Sequence, residues 1–155
     1  MLAAQTTADR QRALAMPVRV EQGAVADTLA ALLAQDPDAR VRAKAARLLS
    51  QVRGPQAVAG LTDALEDPDR SVRLVAVQFY PKVQSAEQAI QALSAVLAQD
   101  PDTSVRRQAA STLGQLRSEQ VPTALAAGAS DADPQVRDTV RKALAKWEQR
   151  RAAPR

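Results

Sequence analysis

The fold is decided by DPDARVRAKAARLLSQV, residues 36–52, because this stretch returns three times. DPDRSVRLVAVQFYPKV occupies residues 67–83, DPDTSVRRQAASTLGQL 100–116 and DADPQVRDTVRKALAKW 131–147, with starts 31, 33 and 31 residues apart. A Val-Arg pair sits at one offset in every copy: Val41-Arg42, Val72-Arg73, Val105-Arg106 and Val136-Arg137. Before each copy lies a second apolar stretch: VADTLAALLAQ, AVAGLTDALE, AIQALSAVLAQ and VPTALAAGAS. A fixed period of this size marks a repeat in which each unit buries its apolar face only against its neighbours.

Both stretches of a unit have helical spacing. Val25 and Leu29 lead to Leu32 or Leu33, and Val41, Ala45, Leu48, Leu49 and Val52 do the same in the repeated stretch. Pro37, Pro68 and Pro101 cannot continue the first helix and push the preceding Asp out of the α region. Asp38, Asp69, Asp102 and Asp133 fall where an N-cap belongs, and Pro134 falls at a first helical position. Each unit therefore reads as two antiparallel helices joined by a tight turn.

The joint recurrence of Asp-Pro-Asp, Val-Arg and the Ala-Ala/Leu-Gly spacing resembles HEAT-like repeats. The resemblance is to the short DPDxxVRxxAAxxLGxL type, including the HEAT-like proteins related to bilin lyases, and covers residues 20–148. It implies an all-α fold: a right-handed α-solenoid of about four HEAT-like hairpins with an N-terminal capping helix. The capping helix is expected over residues 1–20, units over 21–53, 54–84, 85–117 and 118–148, and a basic tail over 149–155. In that family the turn Asp and the Val-Arg arginine form a ladder between units. The resemblance thus assigns Asp36, Asp67, Asp100, Asp131, Arg42, Arg73, Arg106 and Arg137 to structure. Their regular recurrence agrees, since an active site is usually singular.

Composition narrows the chemistry. The chain has no Cys and no His, 2% aromatic residues and a formal net charge of +4. Without His, the serines lack the usual activating base, a zinc site is disfavoured, and the His-Glu iron site of HEAT-repeat hydroxylases cannot form. No Walker-type or dinucleotide-type glycine motif occurs. The sequence has too few units and no central Trp for a HEAT-like DNA glycosylase cleft. No apolar run approaches the roughly 18 residues of a membrane span. MLAAQTTADRQ lacks a basic region followed by an apolar one, so no intact signal peptide is visible. A cytoplasmic location is the default expectation, with an exported form still open. The Ala- and Arg-rich usage is that of a GC-rich bacterial genome.

The departures from the repeat point to a binding surface. Where other units carry Ala43 and Lys44, Arg107 and Gln108, or Asp138 and Thr139, the second carries Leu74 and Val75. Phe79 takes the column of Leu48, Thr112 and Ala143, and Pro81, in the column of Ser50, Gly114 and Ala145, should end its helix early. Leu74, Val75 and Phe79 form either an apolar patch rimmed by Gln78, Lys82, Arg47 and Arg107, or inter-repeat core. Val72, Ala76, Val77, Tyr80 and Val83 fill columns that are apolar elsewhere and are expected to be core, with the Tyr80 hydroxyl at the surface. Arg141, in the column of Ala46, Val77 and Ala110, fits a water-facing end cap, and Trp147 seals the last core. The reading that follows is a non-enzymatic, non-catalytic protein-interaction scaffold with no cofactor and no metal, gripping a protein partner on the face of the second helices. The alternative is nucleic-acid binding through Arg40, Lys44, Arg47, Arg53, Arg106 and Arg107 with Lys146, Arg150 and Arg151. Interleaved acidic residues and scarce aromatics weaken it. Pigment attachment of the bilin-lyase kind has no residue-specific support.

Overall fold

The computed structural model describes Thr7 and residues 22–152; the rest of the expected capping helix lies outside the described residues. The described residues form eight α-helices and no strand. They belong to two compact bodies, the chain dividing between Val83 and Gln84. The first holds α1 (Gln22–Gln35), α2 (Ala39–Leu49), α3 (Pro55–Ala64) and α4 (Arg70–Phe79). The second holds α5 (Ala86–Gln99), α6 (Thr103–Leu113), α7 (Val121–Ala126) and α8 (Pro134–Ala152). In the first body α1 pairs with α2 and α3, and α2 with α4; in the second, α5 pairs with α6 and α7, and α6 with α8. Like helices stack on like helices, as a hairpin repeat requires. The last helix continues through Gln149–Ala152, the first part of the expected tail.

The Asp-Pro-Asp turns show why the helices begin where they do. The first Asp of each turn closes it: Asp36, Asp67, Asp100 and Asp131 each accept the amide of the residue two further on, at 2.8–2.9 Å. The third residue caps the helix. Asp38, Asp69 and Asp102 have extended backbone and accept from Arg40, Ser71 and Ser104 amides. Asp133 accepts from Gln135 in the same way, at 2.7 Å. Each cap satisfies one of the amides a helix start leaves without an intrahelical partner. Asp69→Ala should therefore cost about 1 kcal/mol of stability, read from urea unfolding followed by circular dichroism. A change indistinguishable from zero would show that water replaces the cap without loss.

Each body has its own core. Val41, Ala45 and Leu49 of α2 face Val72, Ala76 and Val77 of α4, all fully buried. In the second body Val105, Ala109 and Leu113 of α6 are buried with Val121, Leu125 and Val136. Each buried Leu or Val contributes about 1.5–3 kcal/mol by leaving water. Among the described residues the one positive backbone angle lies at Gly54, φ 140°, just before Pro55 opens α3. Pro81 acts as expected. α4 stops at Phe79, and Tyr80–Lys82 form one 3-10 turn closed by the Val83 amide on the Tyr80 carbonyl, 3.1 Å. At the matching position Ser50 and Gly114 donate to Ala46 and Ala110, 3.0 Å each; proline has no amide to do so. Tyr80 is buried, as its apolar column implies, but its hydroxyl departs from expectation: it lies 3.2 Å from Thr62 Oγ1 rather than in solvent. No helix among the described residues is long and apolar enough to cross a membrane.

Candidate functional site

The departures on α4 converge on Phe79. Its ring is half-buried, with Lys82 Nζ 4.7 Å and the Arg47 guanidinium carbon 5.9 Å from the ring centre. Both distances are within cation–π range, worth about 0.5–1 kcal/mol at exposed sites. Arg47 comes from the last turn of α2, and Lys82 from the 3-10 turn that Pro81 imposes. Leu74 and Val75 are half-buried, and Gln78 is exposed. The two expectations for this stretch therefore meet midway: the aliphatic residues are partly covered, and the ring is framed by charge. Val75 and Phe79 stand one helical turn apart on one face of α4. Arg107 lies in the second body, exposed, where its Nη1 donates to Gln135 Oε1 at 2.8 Å. Lys82 stands three residues after Phe79, a contact distance in a helical turn.

The Asp and Arg repeats have a different geometry. Arg42 Nε and Nη2 clasp the two carboxylate oxygens of Asp67, 2.9 Å each, while its Nη1 donates to the Asp36 carbonyl at 2.9 Å. Arg106 holds Asp131 at 2.7 and 3.0 Å and the Asp100 carbonyl at 2.9 Å. Arg73 and Arg137 make the same inward bonds, to the Asp67 carbonyl and the Asp131 carbonyl. Hydrogen bonding to Asp67 pushes the Arg42 pKa up, and hydrogen bonding from Arg106 pulls the Asp131 carboxyl below the usual range. The Arg42 and Arg106 guanidiniums each tie the turn of their own unit to the next, through an Asp 25 residues further on. At the surface, the Arg40 side chain draws Asp38 down to about 2.

These pairings also use up much of the basic surface invoked for nucleic acid. Arg106 is clasped and largely buried, Arg40 pairs with Asp38, and Arg151 pairs with Glu119 and lies 5.3 Å from the Trp147 ring centre. Trp147 is half-buried, and its Nε1 donates to the Ser118 carbonyl at 3.1 Å. Among the described residues no group of three or more Asp, Glu, His or Cys is placed to hold a metal ion. Together with the absence of His, this means the residues do not fit a His-Glu iron site.

Stacked helical hairpins with Asp-Pro-Asp turns and clasped arginines define an α-helical repeat protein. The family model for HEAT repeats matches residues 2–81 and 65–145, and the chain belongs to that family. Comparison with curated proteins gives no significant match. Among solved structures, the chain is similar to human deoxyhypusine hydroxylase in complex with glycerol, with a TM-score of 0.67 and 24% identity. The likeness covers 86% of this chain and 46% of that one, so the chain spans about half the length of the hydroxylase.

This finding corrects one expectation. The repeat fold and the lack of recognisable catalytic residues imply a non-catalytic, non-enzymatic scaffold, yet an enzyme is built on the same architecture. The physical reason is that the hairpins supply only the frame. Side chains on exposed helix faces set the chemistry, and lack of His removes particular mechanisms rather than catalysis as a class. Non-catalytic status does not follow from the repeat.

Proposed function

We propose that the chain binds a polypeptide segment on the surface centred on Phe79. The segment places an apolar side chain against Phe79 and Val75, and carboxylates against Arg47 and Lys82. Leu74 and Gln78 flank the contact. The observation that carries this reading is the half-buried ring framed by two exposed cations. A rigid aromatic beside cationic groups is the composition of binding hot spots, and the cations set the charge of what fits. The reading concerns what is bound, not what is then done to it. An enzyme acting on a protein needs such a surface as much as a subunit that only holds one.

The test is selection from a displayed random-peptide library by the full chain and by two variants, Phe79→Asp and the double variant Arg47→Glu/Lys82→Glu. The native chain should enrich peptides with a large apolar residue flanked by Asp or Glu. Both variants should lose at least about tenfold in affinity for those peptides while keeping native helical circular dichroism. Failure of the native chain to enrich any such class, or equal binding by native chain and variants, overturns the proposal.

A further inference from the structure

Arg40, Arg42, Arg106, Arg141, Lys142 and Arg151 each face a carboxylate. Arg47 and Lys82 do not. Both are exposed and lie against the Phe79 ring, and among the described residues no carboxylate pairs with either. Each head group ends a flexible stem, so it can turn from the ring onto an anion.

The course of the helices brings the two cations to one place. Arg42, in the first half of α2, clasps Asp67 in the turn before α4, while Arg47, in the last turn of α2, reaches Phe79 at the end of α4. α2 and α4 therefore run parallel, and the cations stand where both helices finish, past the aliphatic Leu74 and Val75. A helix end of this kind carries about half a negative charge from its unpaired carbonyls. Two side-chain charges outweigh two such ends and leave about one positive charge, which suits one carboxylate better than an acidic run or a phosphate dianion.

Distance selects the kind of carboxylate. Lys82 Nζ and the Arg47 guanidinium carbon lie 4.7 and 5.9 Å from the same ring centre. An apolar group against the ring and a carboxylate on these cations are thus close neighbours in the occupant. Side chains on one face of an extended segment stand about 7 Å apart, and those one turn apart on a helix about 5–6 Å. Either arrangement orders two side chains and the backbone between them, each at a cost in entropy. The last residue of a polypeptide carries its side chain and its carboxylate on one Cα, so ordering a single residue satisfies the ring and the cations together.

We infer that this surface captures the C-terminal residue of a partner polypeptide, with a large apolar last side chain against Phe79 and Val75 and the α-carboxylate on Arg47 and Lys82. The inference rests on the reading of the surface as a polypeptide site and names the part of the polypeptide that enters it. Capture of a terminal carboxylate is a recurring mode of peptide recognition. An internal Asp or Glu beside an apolar residue meets the same groups and binds more weakly, because more of the chain is ordered.

The test is titration calorimetry of the full chain with acetylated glycine-serine hexapeptides ending in leucine, isoleucine or phenylalanine, each as free acid and as amide. A free acid ending in serine, and an amidated peptide with an internal leucine followed by aspartate, complete the set. The best apolar free acid should bind at least about tenfold tighter than its own amide and than the serine-ended acid. Arg47→Gln/Lys82→Gln should remove the preference for acid over amide, and Phe79→Ser the preference for an apolar last residue, both with native helical circular dichroism. Equal binding by the internal-aspartate amide and the free acid overturns this inference and leaves the surface proposed above standing. No binding by any peptide to millimolar concentration removes both. An acid preference that survives in Arg47→Gln/Lys82→Gln overturns the assignment to these cations. Displacement by acetate at equal affinity would mean an unselective anion site, and self-association lost in Phe79→Ser would make a second copy the occupant; either overturns the inference.

Discussion

Gly114→Ala destabilises the second body by about 1–2 kcal/mol, and Gly114→Val by more, although alanine is the better helix former. Gly114 has ordinary right-handed backbone, φ −62° and ψ −15°, so conformational freedom is not why glycine stands there. On backbone entropy alone, alanine would be worth about 0.4–1 kcal/mol. Space decides against it. The added Cβ would lie 2.6 Å from the Ala143 Cβ and 3.2 Å from the Ala143 Cα, and the second atom is backbone that yields only if α8 shifts. Overpacking of this kind costs about 1–3 kcal/mol. Gly60 makes the contrast: its added Cβ meets the tip of Leu49 at 2.7 Å, and a side-chain end can turn aside. Gly60→Ala should be close to neutral. Trp147, the only tryptophan, lies in the second body and reports its unfolding by fluorescence in urea. Gly114→Ala/Ala143→Gly should be less destabilised than the sum of the two single changes, because the second change removes the facing Cβ that the first one meets. Strict additivity of the two changes would mean that this contact carries none of the cost.

What was legible in the sequence is what short-range chemistry dictates. The Asp-Pro-Asp turns showed themselves because proline forbids helix and aspartate caps one, whatever surrounds them. Pro81 announced the early end of α4 for the same reason. The role of Tyr80 was not legible, since its hydroxyl meets Thr62 across two helices and spacing along the chain does not reveal that contact. Leu74 and Val75 were ambiguous because their columns say which side of α4 they occupy, not how far neighbouring helices cover them. The step from repeat to non-catalytic scaffold went astray differently: it inferred a function from a frame, and the hydroxylase shows that this frame also serves an enzyme.

Asp131→Asn should cost about 3 kcal/mol at neutral pH, the lower end of the range for breaking a buried ion pair. Asp131 and Arg106 side chains are only 8% and 15% exposed. Asparagine leaves the Arg106 guanidinium without its counter-charge in a place where water can only partly replace it. The carboxylate also closes its own turn by accepting the Asp133 amide at 2.8 Å, a role asparagine can retain. The loss therefore reports mainly the charge. Its pH dependence follows from the direction of the shift. The hydrogen bond from Arg106 lowers the folded-state pKa of Asp131 below the ordinary 3.8. The added stability is thus fully present above that ordinary value and disappears as pH falls through the lower, folded-state value. The gap between native chain and variant should be constant from pH 7 to about 5 and shrink below about 4. Arg106→Gln/Asp131→Asn should be less destabilised than the sum of the single changes, since removing both partners leaves no buried charge unpaired. A gap that persists unchanged to pH 2, or strict additivity in the double variant, would assign the clasp no electrostatic part in holding one turn to the next.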